Sequence, residues 1–120
     1  MDQEIIKSNI VNYKGSGSPY TSTAYGNLKL TKEKLILDYY LFGIPGIGKV
    51  YGIGQRKIEI PIEKIKEAKN NLGNLVISYF AEDKATQMWL GLWKAFKAKL
   101  YTGGTLCNEW VETINSLRKT

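Results

Sequence analysis

Apolar residues change their spacing once along this chain, from a period near two to a period near four. The two-fold pattern is sharpest after Gly26. Leu28 and Leu30, then Leu35 and Leu37, alternate with Lys29, Thr31, Lys34 and Ile36, and Lys32-Glu33 lies between the two runs. This predicts a β-hairpin. The second arm continues through Asp38 to Phe42, where glycines at positions 43, 46 and 48 interrupt it. Upstream, Glu4 to Lys14 carries Ile5, Ile6, Ile10, Val11 and Tyr13 among polar residues, and its β-branched content suits a strand. The Gly/Ser/Pro/Thr stretch from Gly15 to Thr23 then predicts a loop.

Ile58, Ile60 and Ile62 fall on one face of a further strand, with Lys57, Glu59 and Pro61 on the other. Pro61 marks its end, because proline cannot donate to a central ladder. Ile65 and Ala68 carry the apolar pattern through Glu63 to Asn71, which reads as either extended chain or one short helical turn. A second hairpin follows, with Leu75 to Phe80 and Thr86 to Leu90 flanking the polar turn Glu82 to Ala85. The last segment differs in kind. Leu106, Trp110, Val111, Ile114 and Leu117 form a helical stripe, and Arg118 and Lys119 sit where a helix dipole favours cations. Leu28, Leu30, Leu35, Ile60, Leu106, Trp110 and Ile114 are the expected core and cap. Strands first and one amphipathic helix last predict a mainly β (α+β) fold, an antiparallel sheet closed by the helix.

Residues 89–100 allow two readings. Trp89, Leu92, Trp93, Phe96 and Leu100 have helical spacing with Lys94, Lys97 and Lys99 interleaved, as in an interfacial membrane helix. The alternative is a strand to about Leu90 followed by an irregular linker that packs its aromatics inward. The second is favoured, because the preceding hairpin must complete its second arm.

Composition narrows the chemistry. At 120 residues, with 43% apolar and 23% charged side chains, the chain is expected to form one domain, 1–120, with one core. No window approaches the roughly 18 consecutive apolar residues of a spanning helix. The acidic start, Met1-Asp2-Gln3-Glu4, has no apolar leader region, so a cytoplasmic location is expected, peripheral to the inner membrane face if lipid is bound. Cys107 is the sole cysteine, which excludes an internal disulfide, and it reads as a small apolar residue near a helix start. No histidine is present. The commonest general base and metal ligand are therefore missing, and the eleven acids are mostly scattered beside lysines. A non-enzymatic protein with no cofactor and no metal is expected.

Gly43 to Val50 has the G-x-x-x-x-G-K spacing of a phosphate loop. That motif needs Ser or Thr after the lysine and a helix starting there. Val50 and the strand-like run behind it supply neither, so the segment is read as a glycine-rich loop between strands.

The net charge of +6 is unevenly distributed. Ile5 to Lys32 contains four lysines and no acid; Lys84, Lys94, Lys97 and Lys99 are the only charges between Asp83 and Glu109; Lys49, Arg56 and Lys57 are the only ones between Asp38 and Glu59. Lys14, Lys49, Arg56, Lys57, Lys94, Lys97 and Lys99 are the candidate basic surface if these tracts converge, and otherwise serve solvation. Nucleic acid is not an expected partner: no recognition motif accompanies the charge, and only two arginines are present.

In their order these segments resemble the GRAM and bacterial pleckstrin-homology-like (PH-like) domains. Gly26-x-Leu28-x-Leu30-Thr31-x-x-x-Leu35-x-Leu37 is similar to their early hairpin, Ile60-Pro61-Ile62-x-x-Ile65 to a strand end, and Glu109-Trp110-Val111-x-x-Ile114 to the closing helix. The resemblance implies a bent antiparallel sandwich or partial barrel of about seven strands, plugged by the C-terminal helix. It also implies binding without catalysis, to anionic lipid headgroups or a partner protein. The alternative reading is a protein-interaction or homo-oligomerisation module with no lipid role, in which the tyrosines, Trp93 and Phe96 form the interface. The loops the resemblance implies for binding are Asn12 to Thr23 and Gly43 to Gly54. A cluster of Lys and Arg of the phosphoinositide-binding kind is not matched, since Lys14 stands alone before the Gly/Ser stretch.

Overall fold

The computed structural model describes residues 4–14, 24–45, 50–96, 99–102 and 104–118, with the backbone alone over 93–105. Alternation becomes sheet as expected. β1 (Lys7–Tyr13), β2 (Ala24–Leu30) and β3 (Lys34–Pro45) form a meander, and Leu28 and Leu37 face each other across the β2–β3 pair. The connection between β2 and β3 is held by buried Thr31, whose Oγ1 accepts the amides of Glu33 and Lys34 at 3.3 and 3.1 Å. β4 (Val50–Pro61) continues the meander and ends at the proline. A single 3-10 turn, Ile62–Lys64, leads into β5 (Ile65–Asn71), so the 63–71 segment is extended, with a register shift between Ile65 and Glu67.

β6 (Asn74–Ala81) and β7 (Lys84–Phe96) make the second hairpin. Two-residue turns enter and leave β6. Leu72 and Gly73 form the first, Glu82 and Asp83 the second, and all four have positive φ. That is the backbone hand that matches the twist of the flanking strands. Asn70 Oδ1 secures the first by accepting the Gly73 amide at 2.9 Å.

The strands follow the order β4-β3-β2-β1-β7-β6-β5 in an antiparallel sheet, and β8 (Lys99–Thr102) pairs with β7 outside that path. One face of the bent sheet gathers Val11, Leu28, Leu30, Leu35, Leu37, Ile60, Ile77, Met88 and Leu92. The helix α1 (Gly104–Arg118) closes that face with Cys107, Trp110 and Ile114, all three fully buried, while Leu106, Val111 and Leu117 pack at its margin. Burying an aromatic of this size contributes on the order of 2–3 kcal/mol. Trp110 also donates from Nε1 to Asn9 Oδ1 on β1 at 2.6 Å, and the Lys7 ammonium stands 6.0 Å from the ring centroid. At the other end of α1, Arg118 donates from Nε to the Ile65 carbonyl at 3.1 Å and from its other nitrogens to the Lys66 carbonyl and Asn115.

Two sequence expectations are corrected. Residues 43–54 are mostly paired strand and not loop: β3 runs to Pro45 and β4 begins at Val50. The segment after Leu90 is neither an irregular linker nor a helix. β7 carries its ladder on to Phe96, because β1 pairs with it through Trp93 and β8 through Phe96. Long-range partners, invisible in local periodicity, extended both strands.

Candidate functional site

β3 and β4 stay paired with each other to their ends. Among the described residues the β2–β3 register ends at Tyr25 and Tyr40, and β3 and β4 continue together through Phe42–Ile53, Gly43–Gly52, Ile44–Tyr51 and Pro45–Val50 as a paired ribbon. Strand alternation places Phe42, Ile44, Tyr51 and Ile53 on one face of it, and their exposures are 75%, 74%, 65% and 75%. The opposite face carries Gly43 and Gly52 and is closed by Val50, which is buried. A side chain at Gly52 would strike the Phe42 carbonyl oxygen and come within 2.7 Å of the Gly43 Cα, so the crossing of the strands requires glycine there. Single exposed apolar residues are ordinary, but a contiguous set of four large ones is a signature of interaction.

Charge follows the same boundary. From Tyr39 to Gln55 there is no acid. At the base of the ribbon Arg56 is exposed and donates to the Gln55 carbonyl at 3.1 Å, with no carboxylate within ion-pair distance among the described residues. Lys57 is instead paired, its ammonium 3.1 Å from Glu59, which also takes Lys34 at 3.2 Å. Hydrogen bonds from Lys57 and then Lys34 hold the Glu59 carboxyl below its ordinary range, and the same contact raises Lys57. Lys29 is matched by Asp38 at 3.5 Å.

Lys14 lies elsewhere, at the end of β1. Its stem runs over Gly91, and its ammonium donates to Asn74 Oδ1 at 2.7 Å. Lys94 falls on β7 opposite Tyr101, and Lys99 on β8 opposite Phe96. Lys49 and Lys97 lie outside the described residues, as does the Gly15 to Thr23 stretch. Of the sequence candidates, Arg56 and Lys57 are therefore consecutive on β4 at the ribbon base, on opposite faces of the strand, and Lys14 is at the end of another strand with a polar partner of its own.

No group of three or more acidic, histidine or cysteine side chains able to hold a metal occurs among the described residues. Two surface hollows, one walled by Glu33, Lys34, Pro61 and Glu63 and one by Lys66, Lys69, Tyr79 and Gln87, are open depressions. Cys107 is desolvated inside α1, and burial pushes its thiol up to about 11, the opposite of an activated nucleophile.

The apolar ribbon was missed in the sequence. Its signal was the acid-free run from Tyr39 to Gln55 with β-branched and aromatic residues between glycines. The glycines argued for a loop, and a loop makes no statement about faces.

No protein-family model matches the chain. No curated protein matches it in sequence. Solved structures do match in three dimensions. The hSac2 domain from the human phosphoinositide phosphatase Sac2 superposes with a TM-score of 0.65 at 10% identity, over 98% of this chain and 72% of that one. The DH/PH domains of PDZ-RhoGEF, solved in complex with GTP-γ-S-activated RhoA, give 0.60 at 10% identity, over 98% and 30%. The DH/PH domains of another RhoGEF, carrying a point mutation, give 0.63 at 6% identity, over 98% and 31%. The chain thus spans under a third of the RhoGEF chains it matches. At these identities the likeness establishes the fold, and the fold is PH-like.

Proposed function

We propose that this chain is a non-enzymatic binding module of the PH type, GRAM-like in its motifs, that associates peripherally with an anionic membrane surface at the cytoplasmic side. It works as a single domain, and the β3–β4 ribbon with its cationic base is its contact surface. The observation that carries this reading is the acid-free ribbon with four unpartnered apolar side chains. Solvation alone accounts for exposed lysines; it does not account for Phe42 and Ile53 standing in water on the same face. The PH-like fold is consistent with a binding role, and fold by itself never specifies a ligand. The matched structures include the hSac2 domain from a phosphoinositide phosphatase and DH/PH domains in complex with activated RhoA.

Pelleting with vesicles of phosphatidylcholine and phosphatidylserine at low and high salt tests the proposal. Co-sedimentation at low salt is expected, and its absence removes the lipid reading. A second reading, a homo-oligomerisation or protein-interaction module with no lipid role, is favoured by one observation: β4 is an edge strand of the sheet and the apolar face adjoins it. Light scattering separates the two. A stable oligomer indifferent to salt supports the second, and a strict monomer counts against it.

A further inference from the structure

We infer that the β3–β4 ribbon inserts its apolar face into the interfacial zone of an anionic bilayer, so that Phe42, Ile44, Tyr51 and Ile53, and not a headgroup pocket, provide the grip. This rests on the binding-module reading and adds the mode of attachment. The lysines nearest the ribbon and at the end of β1 are already engaged: Lys57 and Lys34 share Glu59, Lys29 meets Asp38, and Lys14 donates to Asn74. Arg56, whose guanidinium among the described residues meets a backbone carbonyl and no carboxylate, sits two residues past Gly54, below the apolar pairs. Four exposed apolar side chains above an exposed guanidinium are the polarity an anionic leaflet requires.

Insertion must be shallow. Among the described residues no strand pairs with the outer edge of β4, and unpaired backbone groups are not tolerated in the hydrocarbon core.

The test places an environment-sensitive fluorophore on the full chain through Tyr51→Cys. Cys107 stays unlabelled, being fully buried with its thiol raised to about 11. With phosphatidylserine-containing vesicles, a blue shift and quenching by a spin label placed near the headgroup are expected. Phe42→Ser/Ile53→Ser should lower vesicle partitioning by about tenfold or more while leaving the unfolding curve in place, since both side chains are exposed. Arg56→Gln should weaken partitioning less and reduce its salt sensitivity. If the unlabelled chain pellets but the fluorophore stays in water, insertion is wrong and peripheral association stands. Failure to pellet with any vesicle removes both. A blue-shifted label in a lipid-free dimer overturns insertion in favour of a second copy.

Discussion

Trp110 joins three roles in one side chain: it fills the centre of the core, it anchors β1 through Asn9, and it lies under the Lys7 ammonium. Trp110→Ala should lower unfolding free energy by about 3–5 kcal/mol, because the cavity it leaves is lined by packed strands that cannot collapse onto it. Urea denaturation measures this. A second residue-scale consequence concerns alkaline pH. Burial, with lesser contributions from Tyr39 and Tyr79, raises the Tyr13 hydroxyl above 10.0; burial raises the Tyr79 hydroxyl, and lifts the Cys107 thiol from 9.0 to about 11. Each group is neutral when folded and loses a proton more readily when unfolded. Their stabilising contribution is whole below the unfolded values and disappears as pH rises through the folded ones. Stability should therefore fall between pH 9 and pH 11, and Tyr13→Phe should flatten the upper part of that decline in thermal melts. The core stripe of α1 could be read from residue spacing alone, but Cys107 was assigned only a helix start. Its full burial depends on which turn of the helix meets β5 and β6.

At the scale of elements, the hairpins show how turn chemistry can be overridden. Glu82 and Asp83 both adopt left-handed backbone that suits Asn and Gly better. Replacing the pair with Asn-Gly should raise stability by about 1 kcal/mol, read as a higher denaturation midpoint. The ribbon depends on the opposite device. Gly52→Ala would drive a methyl group into Phe42 and Gly43 backbone, and should loosen hydrogen-exchange protection in residues 41–53 while sparing β6 and β7. Arg118 covers the β5 carbonyls that would otherwise form a second open edge beside β4. The strands were legible where apolar and polar residues alternate, as in β2, whose residues are buried at every second position. They were not legible at 43–45 and 91–96, where a glycine and the helix-like spacing of Trp89, Leu92, Trp93 and Phe96 obscure the period and only pairing partners extend the ladder.

For the molecule as a whole, charge alone makes a weak membrane ligand. On the proposed membrane reading, cations near an anionic leaflet contribute about 1 kcal/mol each, so even about four of them reach only millimolar binding. Apolar burial at the ribbon must supply the rest, and vesicle binding should decline with salt without vanishing, as a pelleting series will show. No helix among the described residues is long and apolar enough to cross a membrane. Alternation, turn residues and one helical stripe were sufficient to set the class of fold and the identity of its core, because burial of a periodic face is encoded locally. The tertiary structure alone decided which apolar residues remain in water and which lysines are already engaged. Exposure depends on what packs over a strand, and the position of a neighbour is not written within the strand.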